Sequence, residues 1–197
     1  MSDKNISTKL QLLCVTGNAE KFTVAKQAFT SEGIELTQAV YETDEIQGED
    51  AEKIIRDKAQ KAFELAQQPL IVTDDSWSIP ALGGFPGAYM KSVNHWFAPE
   101  DFLALMASKA DRTVYLQQAV AYIDEYETVI FQNQISGYFV TEPRGNTGPP
   151  IMRVVSLEGD NDLTIAEIYD QGIAEDRGLT RDVWPEVAKW YKEKVTP

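Results

Sequence analysis

Two adjacent aspartates, Asp74 and Asp75, follow the short apolar run Leu-Ile-Val at positions 70–72. Such a run predicts a buried strand, so both carboxylates should lie near the carboxyl edge of a sheet, where α/β proteins usually bind ligands. Successive side chains of a strand point to opposite faces, so the two acids should have different roles. Carboxylates suit a hard cation such as Mg²⁺. The alternative is a solvated turn, because Asp is a favoured turn residue.

Lys58 falls on the apolar stripe of a helix predicted over positions 49–66. It lies seven residues after Ala51, four after Ile54 and three after Ile55, where another apolar side chain is expected. Lysine is rarely fully buried without a partner. Either its side chain extends to the edge of the stripe and reaches water, or it faces an anion inside a cleft.

The stretch Thr-Gly-Asn-Ala-Glu-Lys at positions 16–21 predicts a strand–turn–helix junction with Asn18 as the N-cap. A helix N-terminus offers free N–H groups and a positive dipole end to phosphate. Lys21 would lie in the first turn, where the dipole disfavours a cation, so a nearby anion would account for it. The alternative is an ordinary capped turn, and the phosphate-loop motif G-x-x-x-x-G-K-[ST] is absent.

The overall composition narrows the class of protein. The 197 residues include 18 Lys+Arg and 31 Asp+Glu, a net charge of −13, so duplex nucleic acid is not an expected partner. A few local lysines and a metal ion could still attract a small anion. No apolar stretch approaches the roughly 18 residues of a membrane span. A polar N-terminus without a secretory signal and a single cysteine, Cys14, predict a reducing cytoplasm and no internal disulfide.

Other kinds of chemistry have little support. His95 is the single histidine, with no serine or cysteine pattern that would suggest nucleophilic catalysis, and no zinc-ligand spacing occurs. Trp184 and Trp190 fall in a predicted amphipathic helix, where they are expected to be core residues.

The remaining pattern predicts an α/β fold with a mixed sheet, in one domain spanning positions 1–197. Strands are predicted at 10–16, 33–40, 70–73 and 151–157, and β-rich runs from 112 to 140 predict a hairpin. Helices are predicted at 19–29, 49–66, 98–108 and 181–194, with Pro185 in the first turn of the last one or bending it. The segments 74–93 and 142–150 are predicted to be loops.

Three stretches together resemble the inosine triphosphate pyrophosphatase family. They are V-T-G-N-A-E-K at 15–21, E-I-Q-G-E at 45–49 and D-D-S-W-S-I-P-A-L-G-G-F-P-G-A-Y-M-K at 74–91. The family's typical stretches read T-G-N-x-x-K, an acid before Q-G, an acidic pair before Ser or Thr, and A-L-G-G-x-P-G-x-Y. The likeness runs from Leu12 to Val93 in order and spacing, and more loosely through 98–106, the hairpin, 142–145 and 165–168. The resemblance implies a two-lobed mixed-sheet fold with a central cleft, and a homodimer.

The resemblance also implies Mg²⁺-dependent hydrolysis of a nucleoside triphosphate to monophosphate and pyrophosphate, with inosine and xanthosine triphosphates as default substrates. It makes Asp75 the catalytic carboxylate that holds the metal or activates water, Glu45 a metal ligand, and Asp74 a supporting acid near the metal. It places at the phosphates Thr16, Asn18, Lys21, Lys58, Ser76 and Lys91. A triphosphate carries roughly four negative charges, which metal and lysines must neutralise before water can attack in line. Gly83, Gly84 and Gly87 are expected to let the loop backbone pass close to the ligand.

The half of the chain that should read the base departs from the family pattern. The family usually has a glycine, an aromatic residue and Asp-Pro, whereas T-G-P-P-I at 147–151 keeps Gly148 alone. The family's Ser-His-Arg is matched best by L-T-R at 179–181, whose Arg181 precedes the terminal helix, with E-D-R at 175–177 as the alternative. Trp77 stands where the family often has glycine. Base selectivity therefore stays open, as do the same chemistry on another nucleotide and a non-catalytic nucleotide-binding role on the same fold.

Overall fold

The computed structural model describes residues 10–42, 44, 46, 48, 50–174, 176 and 181–196. Its strands are β1 Leu10–Val15, β2 Ile34–Ala39, β3 Leu70–Ser78, β4 Pro86–Gly87, β5 Thr113–Ile123, β6 Thr128–Phe139 and β7 Val155–Leu157. Its α-helices are α1 Ala19–Ser31, α2 Ala51–Ala66, α3 Met90–Trp96, α4 Pro99–Met106, α5 Ile165–Asp170 and α6 Trp184–Val195. Two 3₁₀ turns lie at Pro80–Leu82 and Pro150–Arg153.

The strands form one mixed sheet in the order β2-β1-β3-β5-β6-β7, with β4 pairing against β3. Strand β1 runs parallel to β2 and β3, while β3, β5, β6 and β7 are successively antiparallel. The mixed α/β sheet predicted from the sequence is therefore confirmed, and so is the hairpin, which is formed by β5 and β6.

Helices cover both faces of the sheet, and the alternation of side chains along β3 shows which face each residue joins. Ile71 packs in the cluster made with α1 and α6, and Leu70 and Val72 pack in the cluster made with α2. A third cluster lies where β3 meets β4 and includes Trp77, α3 and α4. Fully burying one aliphatic side chain such as Leu70, Ile71 or Val72 contributes about 1.5–3 kcal/mol, so packing on both faces stabilises the first half of β3.

Two predicted boundaries are wrong for a physical reason. The segment 74–93 is not a loop, because β5 pairs with β3 along its whole length, from Leu70 opposite Ile123 to Ser78 opposite Tyr115. Helix α3 then begins at Met90. The predicted strand at 151–157 is a strand only from Val155, because the chain first makes a 3₁₀ turn that Pro150 begins. Within the described ranges, no helix combines the length and apolar character of a membrane span.

Candidate active site

The site lies at a gap in the sheet beside β3. Strand β1 ends at Val15, which pairs with Val72, and β4 pairs only with Trp77 and Ser78. Positions 73–76 of β3 therefore have no strand on this side within the part of the chain that the structure describes. A cleft of about 820 Å³ opens there, at the carboxyl end of β1.

Asp74 and Asp75 lie on opposite faces of β3 and meet lysines from different helices. Asp75 shares the face of α1, and its Oδ2 lies 3.0 Å from Lys21 Nζ. Asp74 shares the face of α2, and its Oδ1 lies 3.5 Å from Lys58 Nζ. All four side chains border the cleft, which therefore reaches both faces of the sheet through the gap.

The start of α1 is fixed by two local hydrogen bonds. Asn18 Oδ1 accepts from Lys21 N at 2.8 Å, which confirms Asn18 as the N-cap, and Thr16 Oγ1 accepts from Asn18 N at 3.2 Å. A cap of this kind contributes about 1 kcal/mol to helix stability. The helix start and its Lys21 are thereby held at the edge of the cleft.

Lys91 borders the cleft from the first turn of α3. Together with Lys58, Lys91 also borders an adjoining cavity of about 760 Å³. Ala88 borders the cleft and the glycines at 83, 84 and 87 precede it, so their expected close approach to the ligand stays a prediction. Gly84 and Gly87 have φ values of +93° and +58°, so they serve the turn that leads to α3.

Some residues of the predicted site are not brought to the cleft. Ser76 does not border it, and its Oγ donates to Gln117 Oε1 at 3.1 Å. Gly148 lies beside the cleft at φ +85°, with a Cβ there 2.5 Å from Met152 Sδ, while Pro149 and Met152 themselves border it. Glu45, the predicted third acid, lies outside the described residues.

Arg181 borders the cleft but is held by other residues of the protein. Its Nη1 donates to Asp160 Oδ1 at 2.5 Å and to the Glu158 carbonyl at 3.3 Å. Asp160 is fully buried, so this ion pair fixes the segment that precedes α6. The alternative E-D-R stretch includes positions 175 and 177, which lie outside the described residues.

Sequence reasoning missed Gln118 and Asp182, which also border the cleft. Gln118 lies directly opposite Asp75 in the β3–β5 pairing, and Asp182 hydrogen-bonds to Gln118. Burial raises the pKa of the Asp182 carboxyl to about 6; Arg181 opposes the shift and Asp75 adds to it. The sequence did contain a signal for Gln118, because it is the polar residue among the apolar positions Leu116, Val120 and Tyr122 on the same face of β5. Asp182 had no comparable signal.

The cleft combines balanced charge with apolar walls. Among the residues that the structure describes, it is bordered by four cationic and four acidic side chains, namely Lys21, Lys58, Lys91, Arg181, Glu20, Asp74, Asp75 and Asp182. Trp77 lies on the same face as Asp75 and is only 6% exposed, yet it also borders the cleft. Burial, together with the nearby acids Glu20, Asp182 and Asp75, raises the pKa of Tyr169 to about 12, and Arg181 opposes this rise. A local balance of charge inside a chain of net charge −13 gives an anion a place to bind.

The fold is that of solved Ham1 structures. A HAM1 protein from Coxiella burnetii matches with a TM-score of 0.74 and 18% identity, covering 93% of this chain and 99% of that one. The Staphylococcus aureus Ham1 protein matches with a TM-score of 0.71 and 16% identity, over the same shares of the two chains. These likenesses define a mixed α/β architecture.

The chain belongs to the Ham1 family, whose model matches residues 12–183. It is 31% identical over 189 residues to the dITP/XTP pyrophosphatase of Methanopyrus kandleri, covering 94% of this chain and 98% of that protein. It is 33% identical over 154 residues to the dITP/XTP pyrophosphatase of Saccharolobus solfataricus, covering 78% and 80%. The resemblance drawn from the three sequence stretches is thereby confirmed.

Proposed function

We propose that this chain is a Mg²⁺-dependent pyrophosphatase that hydrolyses inosine, deoxyinosine and xanthosine triphosphates to the monophosphate and pyrophosphate. The observation that carries the proposal is the cleft, where two adjacent carboxylates and three lysines meet at the gap beside β3. Membership of the Ham1 family and relatives that carry the name dITP/XTP pyrophosphatase support the same activity. A location in the cytoplasm and a homodimeric assembly remain predictions.

The phosphates would bind between the start of α1, α2 and α3. Lys21, Lys58 and Lys91 approach the cleft from these three helices, so their ammonium groups can surround a triphosphate. Thr16 and Asn18 belong to the same site through the α1 junction. Ser76 is left out of this proposal, because its hydroxyl is directed to Gln117.

The donor set at the gap fits Mg²⁺. Asp74 and Asp75 supply carboxylate oxygens, and one or two carboxylates with phosphate oxygens and water complete the coordination that Mg²⁺ prefers. No cluster of three metal-binding side chains converges among the described residues, and Glu45 remains the predicted further ligand outside them. When bound, the ion would neutralise phosphate charge and lower the pKa of bound water.

Asp75 is the proposed catalytic carboxylate. Its position on the α1 face, 3.0 Å from Lys21, brings a proton acceptor next to the expected phosphate chain. There it can orient a water molecule and take its proton. The water oxygen bonds to the α-phosphorus while the bond from that phosphorus to the oxygen bridging the α- and β-phosphates breaks. Pyrophosphate leaves with the electron pair of that bond.

The test is pyrophosphate release from a panel of nucleoside triphosphates with and without Mg²⁺. Wild type should release pyrophosphate from inosine and xanthosine triphosphates in preference to adenosine triphosphate, and a chelator should abolish release until Mg²⁺ is restored. Asp75→Asn should lower kcat by about 100-fold or more, because general base catalysis is worth that much.

Lys58→Ala should raise the KM for the triphosphate by about 10-fold, with little change in the unfolding midpoint. Lys53→Ala is its matched control, since Lys53 is an exposed lysine of the same helix that does not border the cleft. No release from any substrate by wild type would reject the proposed function, and equal activity of Asp75→Asn and wild type would reject Asp75 as its catalytic carboxylate.

A further inference from the structure

The α1 face of the sheet carries two ordered rows of side chains under the cleft. Cross-strand pairing places Asp75, Gln118 and Asn133 in one row across β3, β5 and β6. The next row along the same face is apolar and consists of Trp77, Leu116 and Ile135. Directly opposed side chains have Cβ atoms about 5 Å apart, so a polar strip and an apolar strip lie side by side.

Asp182 lies over the polar row and is held there by Gln118. Gln118 Oε1 accepts from Asn133 Nδ2 and from Val183 N, both at 3.2 Å, and Asn133 Nδ2 also donates to the Arg181 carbonyl at 2.7 Å. With its oxygen taken by two donors, the Gln118 amide presents its NH₂ group to the Asp182 carboxylate. Asp182 is thus an acceptor of fixed position that borders the cleft.

Apolar and aromatic side chains border the same cleft as this carboxylate. Trp77 and Leu116 border the cleft from the sheet, and Tyr169 borders it from α5. Such walls suit a planar base, whereas the lysines that suit phosphate belong to α1, α2 and α3. Arg181 also borders this part of the cleft, but its Nη1 is directed to Asp160 and the Glu158 carbonyl.

We propose that Asp182 is a specificity-determining residue, which accepts a hydrogen bond from the ring N–H of a 6-oxopurine base. A carboxylate only accepts, so it favours a base edge that donates there over adenine, whose ring nitrogen at that edge also accepts. Charge alone does not make this choice, because all the triphosphates compared carry the same phosphate chain. The inference rests on the proposed function and assigns the base-reading role to a side chain outside the segment 147–151.

Asp182→Asn converts the acceptor into a donor at one position. Because Gln118 cannot turn its amide without losing two hydrogen bonds, its NH₂ keeps the oxygen of the new amide, whose own NH₂ then faces the cleft. In the Asp182→Asn variant, this NH₂ group would face the ring N–H of inosine triphosphate, which is also a donor. With adenosine triphosphate it would face the ring nitrogen of adenine, which is an acceptor. The ratio of kcat/KM for inosine over adenosine triphosphate should fall by at least about 10-fold.

Two further variants make the result specific. Glu186→Gln removes the same charge from an exposed residue four positions along that does not border the cleft, and it should leave the ratio unchanged. Asp182→Ala removes the acceptor without adding a donor, so the ratio should fall while activity on adenosine triphosphate does not rise. This second variant keeps the test valid if Asp182→Asn misfolds, which its circular dichroism spectrum would report.

An equal loss of kcat for both substrates, with the ratio unchanged, would overturn the inference and indicate a role in proton transfer or metal binding instead. Failure of the proposed function is seen separately, as absence of pyrophosphate release from any substrate by wild type. In that case the ratio of dissociation constants for the two triphosphates, measured by calorimetry on wild type and Asp182→Asn, decides the inference. An unchanged ratio would reject it.

Discussion

Lys21 and Lys58 occupy positions that local rules disfavour, and each is explained by the acid it faces. The dipole of α1 opposes a cation in its first turn, but Asp75 lies 3.0 Å from Lys21. The apolar stripe of α2 opposes a charge, but Asp74 lies 3.5 Å from Lys58. Residues that break a local rule thus converge on the gap in the sheet, as is common at functional sites.

Asp182 should make stability fall as the pH rises. Its pKa is raised from 3.8 to about 6, so between these values the folded protein binds more protons than the unfolded chain, and the free energy of unfolding falls. Above pH 6, ionised Asp182 lowers the free energy of unfolding by its full amount, about 2–3 kcal/mol. The groups that face it are Arg181, Asp75, Asp160 and Tyr169. Asp182→Asn should therefore be more stable than wild type at pH 7.5 and similar to it below pH 4.

Urea unfolding of both proteins from pH 4 to pH 8, in buffer with a chelator, measures this difference. Parallel curves for wild type and variant over the whole range would show that Asp182 ionises in the folded protein as it does in the unfolded chain. Glu186→Gln again controls for the loss of one negative charge.

The sequence predicted the acids and lysines of the site but not the partners that connect them. Lys58 could be singled out because the helical period of α2 is visible over a few turns. Asp182 and Gln118 could not be paired, because Val183 and Gln118 are 65 residues apart and their hydrogen bond depends on how α6 docks on the sheet. Local periodicity carries no information on that docking.

At the scale of the elements, β3 extends beyond its apolar run because it pairs with β5. The apolar run ends at Val72, and the acids that follow end the sequence signal for a strand, yet pairing with β5 continues to Ser78. The β5–β6 hairpin, by contrast, was predictable, since both strands are long and β-rich and are joined by a short polar turn. Tertiary pairing overrides local propensity in β3 alone of these three strands.

The turn of this hairpin is tied to α6 by Lys194. Its Nζ lies 3.2 Å from Asp124 Oδ2 and 2.5 Å from Glu127 Oε1, and it lies 5.2 Å from the centroid of the Tyr122 ring. Burial alone would raise the pKa of Asp124, but hydrogen bonds from the turn amides, Tyr122 and Lys194 lower it to about 2. Lys194→Ala should therefore lower the free energy of unfolding by about 1–2 kcal/mol near pH 7.

This loss should shrink as the pH falls from about 4 towards 2, because a carboxyl with a lowered pKa stabilises the fold only while it is ionised. Denaturant unfolding at pH 7 and pH 3 measures both effects. Lys189→Ala, an exposed lysine of the same helix, serves as the control and should be nearly neutral. If Lys194→Ala were as stable as Lys189→Ala, the contacts of Lys194 would not contribute to the packing of the hairpin turn against α6.

At the scale of the whole molecule, Cys14 reports on global unfolding. It is completely buried on β1 between β2 and β3, and burial raises the pKa of its thiol to about 12. Reaction with a thiol reagent requires both exposure and ionisation. The native protein should therefore react at least about 1,000-fold more slowly than the protein in guanidinium chloride, through openings close to complete unfolding.

Ser108→Cys supplies the comparison, since Ser108 is exposed just after α4 and a thiol there should react at once. Fast modification of both thiols in native Ser108→Cys would mean that β1 opens locally. Reaction of one thiol only, followed by a slow phase that denaturant accelerates, is the expected result.

The two ion pairs at the gap in the sheet have a thermodynamic consequence for ligands of opposite charge. Lys21 with Asp75, and Lys58 with Asp74, neutralise one another across the cleft. A cation that takes the carboxylates would release two ammonium groups for an anion, and an anion that takes the lysines would release two carboxylates for a cation. Metal and triphosphate should therefore bind with positive cooperativity, and by reciprocity each should tighten the affinity for the other by the same factor.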